Sequence, residues 1–369
     1  MAYPETYSSM RDLIEQKLQD SGNALFTTAE IDPAMTEGQR EIAQYSPYVY
    51  KAEFNLESRR GTATATTASA LVDTTLDQFL SGDVGKWIYN ETDRTWAQVT
   101  AYVSATRLTL SKDIMVSGES YQMFNKGCTD SKEINLEAPQ QLDGALGSRL
   151  LDWLYIDKIE YPILQDPPSF LKPGQWEMQE NNILRLKVDT EPPNTKDSDA
   201  PDEVWIYFAM LHWLSKLTTL LGKVDLVAGY AAGVTSIHVD DMTANDIILK
   251  GAPFKIDGVR GIYFADYQRT LTSGESDVSF WPPLSDAVVD DTTVRFISNT
   301  MDYKLEGIYA DLVAGKAAIS KSRYYINRIG FGQNIYRYMY EWGKLHYDNA
   351  LSELKRLKYL DTAPSMSMP

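Results

Sequence analysis

Three histidines, one cysteine and a surplus of carboxylates are the material from which this chain could build reactive chemistry. His212, His238 and His346 each stand alone, outside any HExxH or CxxC spacing, so no zinc site is legible in the sequence. Cys128 is the single cysteine, which excludes an intrachain disulfide framework and a cysteine-based zinc site. Gly330-Phe331-Gly332 lacks the further glycine or Lys-Ser/Thr of a phosphate-binding loop and reads as a break between helices. Asp240-Asp241 and Asp290-Asp291 offer oxygens to a calcium ion, but acidic pairs of this kind are commoner as turn residues at strand ends. His212 lies in an apolar run and reads as a satisfied core residue. There is no GxSxG, and the acids are too numerous to single out a glycosidase pair. The sequence therefore predicts no catalytic residue, no cofactor and no metal, and a protein that is not an enzyme.

The 369 residues carry 51 acids against 35 bases, a formal net charge of −16. That balance argues against a nucleic-acid coat or a binder of anionic membranes. The polar opening MAYPETYSS has no basic-then-apolar leader, and the longest apolar run, Val204 to Leu214, is too short to span a bilayer. The expectation is a soluble, intracellularly made protein with real cores. The charge is unevenly spread, however. Lys316 to Leu360 holds nine lysines and arginines against three acids. Tyr324, Tyr325, Tyr336, Tyr338, Tyr340, Trp342, Tyr347 and Tyr359 are interleaved with them. Aromatics mixed with Arg and Lys suit a protein interface. The other readings are single-stranded nucleic-acid binding and a solvated helix whose aromatics pack inward.

Elements follow from periodicity. Met10, Leu13, Ile14 and Leu18 fall on one helical face, with Ser9 as cap and Asp12 three residues on. Thr27 and Glu30 have capping-box spacing before a second helix that runs toward Pro47. From Gly61 to Phe124 the Thr-, Val- and aromatic-rich text predicts short strands and hairpins. Trp153 to Ile156 and Ile183 to Val188 read as strands, and Glu191 to Asp202 as a polar loop. Glu203 to Leu221, apolar all round, predicts a buried helix closed by Gly222. Leu305, Ile308, Tyr309 and Leu312 mark one helix near the C-terminus. Tyr336, Tyr340, Trp342, Leu345, Tyr347, Leu351 and Leu354 mark a long final one, before a polar tail from Asp361 to Pro369.

The two strand-rich stretches resemble each other. Leu71-Val72-Asp73 matches Ile237-His238-Val239-Asp240, Trp87-Ile88-Tyr89 matches Phe254-Lys255-Ile256, and Gln98-Val99 matches Tyr263-Phe264. The closing strands are Tyr121 to Phe124 and Val294 to Ile297. The predicted fold class is α+β: a discontinuous α-helical core interrupted by two small antiparallel β-barrel or sandwich modules. The boundaries are 1–57 helical core, 58–125 first module, 126–222 middle core with strands and a buried helix, 223–297 second module, and 298–369 C-terminal helices and tail.

The layout resembles the head-to-tail adaptor (connector) proteins of tailed bacteriophages. The resemblance rests on Arg11-Asp12-Leu13-Ile14 with Leu18, on Phe26 to Asp32, on Gln39-Arg40-Glu41-Ile42-Ala43, on Asp83 to Asn90 and Pro282-Pro283-Leu284, and on the final helix with Trp342 and Tyr347. It implies a virion protein assembled in the host cytoplasm as a homo-oligomeric ring, usually a dodecamer, beneath the portal protein. The ring would extend the DNA channel without specific DNA binding and without membrane contact. Its β modules would face tail tube, nozzle or fibre proteins, and its C-terminal segment would dock into the portal. The portal-docking residues expected on that basis are Arg337, Tyr340, Trp342, Lys344, Tyr347, Arg356 and Tyr359. Two other function classes are alternatives to this reading. One is another tail, baseplate or receptor-binding component whose Trp87, Trp96 and Trp281 serve carbohydrate; the other is a carboxylate-based hydrolase.

Overall fold

The computed structural model describes residues 6–22, 24–136, 153–189, 203–326 and 333–362. The chain forms two compact units, Tyr50–Phe208 and Met1–Val49 with Ala209–Pro369. Among the described residues there are four α-helices and twenty strands, so the protein is mostly β, and the predicted helical core with two small β additions is overturned.

Helices α1 (Tyr7–Lys17) and α2 (Thr28–Ile42) open the chain. Thr6 rather than Ser9 is the α1 cap: the Ser9 amide donates to its hydroxyl at 3.3 Å, and the Thr6 amide donates to Ser9 Oγ at 2.9 Å. At α2 the Thr27 amide donates to Glu30 Oε2 at 3.0 Å, as the capping-box spacing predicts. Strand β1 (Tyr48–Asn55) leads into the first β module. This consists of β2 (Arg60–Thr62), β3 (Ala70–Val72), β4 (Trp87–Asn90), β5 (Thr95–Ser104), β6 (Arg107–Leu110) and β7 (Ser120–Phe124). They form one antiparallel sheet in the order β2-β7-β4-β5-β6-β3. Next come β8 (Glu133–Asn135), β9 (Trp153–Glu160), β10 (Trp176–Met178), β11 (Ile183–Leu186) and β12 (Glu203–Met210). These make two three-stranded sheets, β1-β12-β9 and β10-β11-β8.

Strand β12 corrects the buried helix expected over Glu203 to Leu221. Val204, Ile206 and Phe208 are buried while Trp205 and Tyr207 are half-buried on the opposite face, a period of two. The run is apolar all round because both faces of the strand are covered. The Lys51 ammonium sits 3.4 Å from the Trp205 ring centre, and Tyr207 donates to Glu160 Oε2 at 2.9 Å. Its β-branched and aromatic residues favour the pleated form that this environment allows.

The second module contains β13 (Leu221–Val224), β14 (Ser236–Asp240), β15 (Ile247–Ile248), β16 (Pro253–Ile256), β17 (Tyr263–Ala265), β18 (Arg269–Thr270), β19 (Ser276–Trp281) and β20 (Thr293–Phe296). Six of these close into a barrel, β13-β14-β19-β17-β16-β20, and β15 pairs separately with β18. Read from β13 through β20, the barrel has the same strand order as the open sheet read from β2 through β7. The registers agree as well. Gly61 pairs with Tyr121 and Tyr121 with Asn90, just as Gly222 pairs with Val294 and Val294 with Ile256. The registers set Ile88 against Phe254, one residue from the sequence match that aligned Trp87 with Phe254. In the open sheet no ladder joins β2 to β3; the Thr64 amide donates to Val72 O at 2.8 Å across the gap.

Equivalent positions carry opposite chemistry. Val239, Val294 and Ile256 are packed in the barrel core. In the first module Tyr121 is fully buried and donates to Asp73 Oδ2 at 2.8 Å while accepting from Gln78 Nε2 at 2.7 Å. Beside it lies a buried group of four charges. Arg59 donates to Glu57 Oε1 at 3.0 Å and Oε2 at 2.7 Å, and to Asp83 Oδ2 at 3.1 Å. Lys86 bonds to Glu57 and lies 3.1 Å from Asp83. Two acids and two bases balance, so each desolvated charge has its counter-charge.

Helices α3 (Tyr303–Ile326) and α4 (Gln333–Thr362) end the chain. The predicted α3 face of Leu305, Ile308, Tyr309 and Leu312 is buried, together with Ala310, Ala314, Ala317 and Ala318. A Cβ on Gly315 would lie 2.7 Å from Gly343 O, and one on Gly343 would lie 2.8 Å from Gly315 O. The two helix backbones therefore touch at this crossing.

Three measurements check these packing arguments. Gly315→Val forces the α3 and α4 backbones apart and should cost about 1–3 kcal/mol in urea unfolding. For the buried charges, burial alone would raise the Glu57 carboxyl, but Lys86 and Arg59 hold it well below the usual carboxylate range. A lowered folded-state pKa means that the stabilisation is complete above the unfolded value near 4.5 and drains away as pH falls below it. The unfolding midpoint of the Tyr50–Phe208 unit should drop through that acid range. Glu57→Gln should cost about 3 kcal/mol at neutral pH and flatten the acid dependence.

Candidate interaction surface

The final helix has two faces of different character. Its inner face is fixed by the glycine crossing, by buried Ala350 and Leu354, and by Trp342 and Tyr347, which pack against the helical core. Tyr347 donates to Glu41 Oε1 at 2.5 Å. Burial pushes its phenol pKa up, and the bond to Glu41 adds to the rise. The Trp342 ring lies 4.2 Å from the His346 ring, centre to centre.

The outer face carries Arg337, Tyr340 and Lys344 at helical spacing, all exposed, and Arg356 is exposed further along. Arg337 donates to Glu341 at 2.8 Å. Tyr338 is 72 % exposed and Leu345, seven residues on and on the same side of the helix, is 58 % exposed. At the N-terminal half of α4 a cavity of about 210 Å³ is lined by Lys17, Leu25, Phe26, Tyr338, Met339 and Trp342.

Of the seven residues expected to dock a partner, the fold thus turns Arg337, Tyr340, Lys344 and Arg356 to solvent and Trp342 and Tyr347 toward the core. The Tyr359 side chain lies outside the described residues, as do the Gly330-Phe331-Gly332 break, the Glu191 to Asp202 loop and most of the tail. Of the residues whose spacing marks the final helix, Tyr340 and Leu345 are exposed while Leu354 is buried; the division between them comes from tertiary packing. The basic surplus is also partly neutralised within the fold. Lys316 pairs with Glu41 at 2.7 Å, Lys321 with Glu30 at 2.6 Å, and both acids belong to α2.

The other candidate chemistries are placed as follows. His212 stands beyond β12 rather than on a helix, with Nε2 2.8 Å from Ser46 O and Nδ1 3.3 Å from Thr300 Oγ1. Burial lowers its pKa, so it stays neutral in its role as a satisfied core group. At the barrel rim Lys223 lies 3.2 Å from Asp241 and 3.5 Å from Asp291, a cation already seated among those acids. Trp281 is buried, and the Trp96 ring lies 4.6 Å from Tyr89 and 5.3 Å from Phe124, so both rings serve their sheets. Burial raises Asp266 to about 6, Asp240 is raised by burial and by Asp241, and Glu306 by burial and by Asp302; the three stand in separate neighbourhoods. No helix among the described residues is long and apolar enough to cross a membrane.

Comparison with protein-family models, curated proteins and solved structures finds no match to this chain.

Substitutions separate the two faces. Tyr347→Phe removes the bond to Glu41 and should cost about 1 kcal/mol in chemical unfolding. Tyr340→Ser on the outer face should leave stability within about 0.5 kcal/mol of the parent.

Proposed function

We propose that the protein is a structural virion component of the head-to-tail adaptor kind, a ring subunit that joins portal to tail and docks through the outer face of α4. The observation that carries this reading is the exposed strip of Arg337, Tyr338, Tyr340, Lys344 and Leu345 on a helix whose opposite face is locked into its own core. Tyr and Arg are the residue types that anchor protein interfaces, and here they stand together on one exposed helix face, which supports the reading. The helix is pre-organised by the Gly315–Gly343 contact, so docking would require little ordering of the backbone. The net charge of −16 suits a ring through which DNA passes, since phosphate affinity depends on Lys and Arg contacts.

Electron microscopy of the purified chain, alone and mixed with portal rings of the same virus, tests the reading. The expected result is a ring with a central hole seated on the portal. Replacing Tyr338 and Leu345 with Ser together should weaken portal binding at least tenfold while the circular dichroism spectrum is unchanged. A monomer that ignores the portal, or a double variant that binds as tightly as the parent, would exclude this docking face.

A further inference from the structure

The closed barrel differs from its open counterpart by one seam, the pairing of β13 with β14. That seam is short: Lys223 pairs with Asp240 and Val224 with Val239. Just past it the Asp225 amide donates to His238 O at 3.1 Å, so Asp225 stands beside His238 on the neighbouring strand. On the other side of β14, His238 pairs directly with Asp277 of β19, and Glu275 immediately precedes that strand. Ile237 and Val239 point into the barrel, which puts His238 on its outer surface. Three adjacent strands thus bring Asp225, His238 and Glu275 together, with their ligating atoms all within 4.8 Å of one another.

The imidazole is already oriented. His238 Nδ1 lies 2.8 Å from Asp277 Oδ1, and Nε2 faces Glu275 Oε2 at 4.0 Å. A histidine that gives its Nδ1 proton to a carboxylate presents the Nε2 lone pair outward, the arrangement found behind metal-bound histidines. The main chain is pinned too, because the His238 amide donates to the Tyr230 hydroxyl at 2.8 Å. Lys223, the nearest lysine of the seam, is engaged by Asp241 and Asp291 instead.

We infer that this outer face of the barrel is a binding site for one divalent transition-metal ion, with His238 Nε2 and the carboxylates of Asp225 and Glu275 as ligands and Asp277 as the positioning residue. One imidazole with two carboxylates suits Zn²⁺ or Mn²⁺, the remaining positions being open to water. Asp225 and Glu275 are exposed, so small rotations bring their oxygens onto an ion about 2.1 Å away. Such an ion would tie β13, β14 and β19 together across the seam that closes the barrel. Its role is structural, and it stands independently of the docking face on α4.

Calorimetric titration of the full chain with Zn²⁺, and separately with Mn²⁺, tests the site. The expected result is saturable binding of one ion per chain by at least one of the two metals. Kd should rise at least tenfold in His238→Ala and in Glu275→Gln, and change less than twofold in Asp291→Asn. The bound ion should also raise the thermal midpoint of the parent and leave that of His238→Ala unmoved. Glu275 is exposed, so Glu275→Gln keeps the test decisive even if His238→Ala fails to fold. Absence of saturable binding by either metal would overturn the inference. Undiminished affinity in Glu275→Gln would overturn it equally, by placing the ion elsewhere.

Discussion

The contact of Gly315 with Gly343 is the constraint on which the helical part of the molecule depends. With no Cβ on either residue, α3 and α4 meet backbone to backbone, and the alanines of α3 extend the close approach. Helix α3 is then walled in by α1, α2 and α4, and Tyr309 can donate to Met35 O at 2.8 Å from within the core. The same approach fixes which residues of α4 are spent on packing and which remain outside. A bulkier crossing would rotate or lift α4, and the separation of Trp342 and Tyr347 from Tyr338 and Leu345 would be lost.

The two β modules show how one strand order tolerates opposite interiors. The barrel fills its core with aromatic and aliphatic side chains: Phe254, Tyr263, Phe280 and Phe296 pack with ring centres 5.3–5.7 Å apart. The open sheet instead buries Tyr121 on Asp73 and sets the Glu57, Arg59, Asp83 and Lys86 group close by. Buried polar groups of this kind cost little only when every member is partnered, so they tolerate fewer substitutions than the apolar core. The two modules thus share strand order, a glycine position and register while differing in the chemistry of their interiors.

Charge follows the same logic of partnership. The cationic C-terminal segment faces an acidic α2, and Glu30 and Glu41 take up Lys321 and Lys316. The cations left outward along α4 include Arg337, Lys344, Lys355 and Arg356, with exposed aromatics near the first of them. A local charge count along the chain overstates what a partner can meet, because it omits the neighbours that folding supplies.

The sequence by itself determined the elements whose signals are local. The Thr27–Glu30 capping box, the α3 apolar face and the likeness of the two strand-rich stretches were legible because each depends on spacing within a few turns or strands. Glu203 to Leu221 misled because hydrophobicity on all sides fits a buried helix and a two-faced strand equally, and only neighbouring strands decide between them. Register was likewise undecided: a shift of one residue separates the sequence match from the observed pairing of the modules. The division of α4 into packed and exposed residues was set by the glycine crossing, which pairs positions in different helices. The meeting of Asp225, His238, Glu275 and Asp277 was invisible for the same reason. Asp225, His238 and the Glu275–Asp277 pair come from three separate segments, and it is the pairing of β13, β14 and β19 that makes them neighbours.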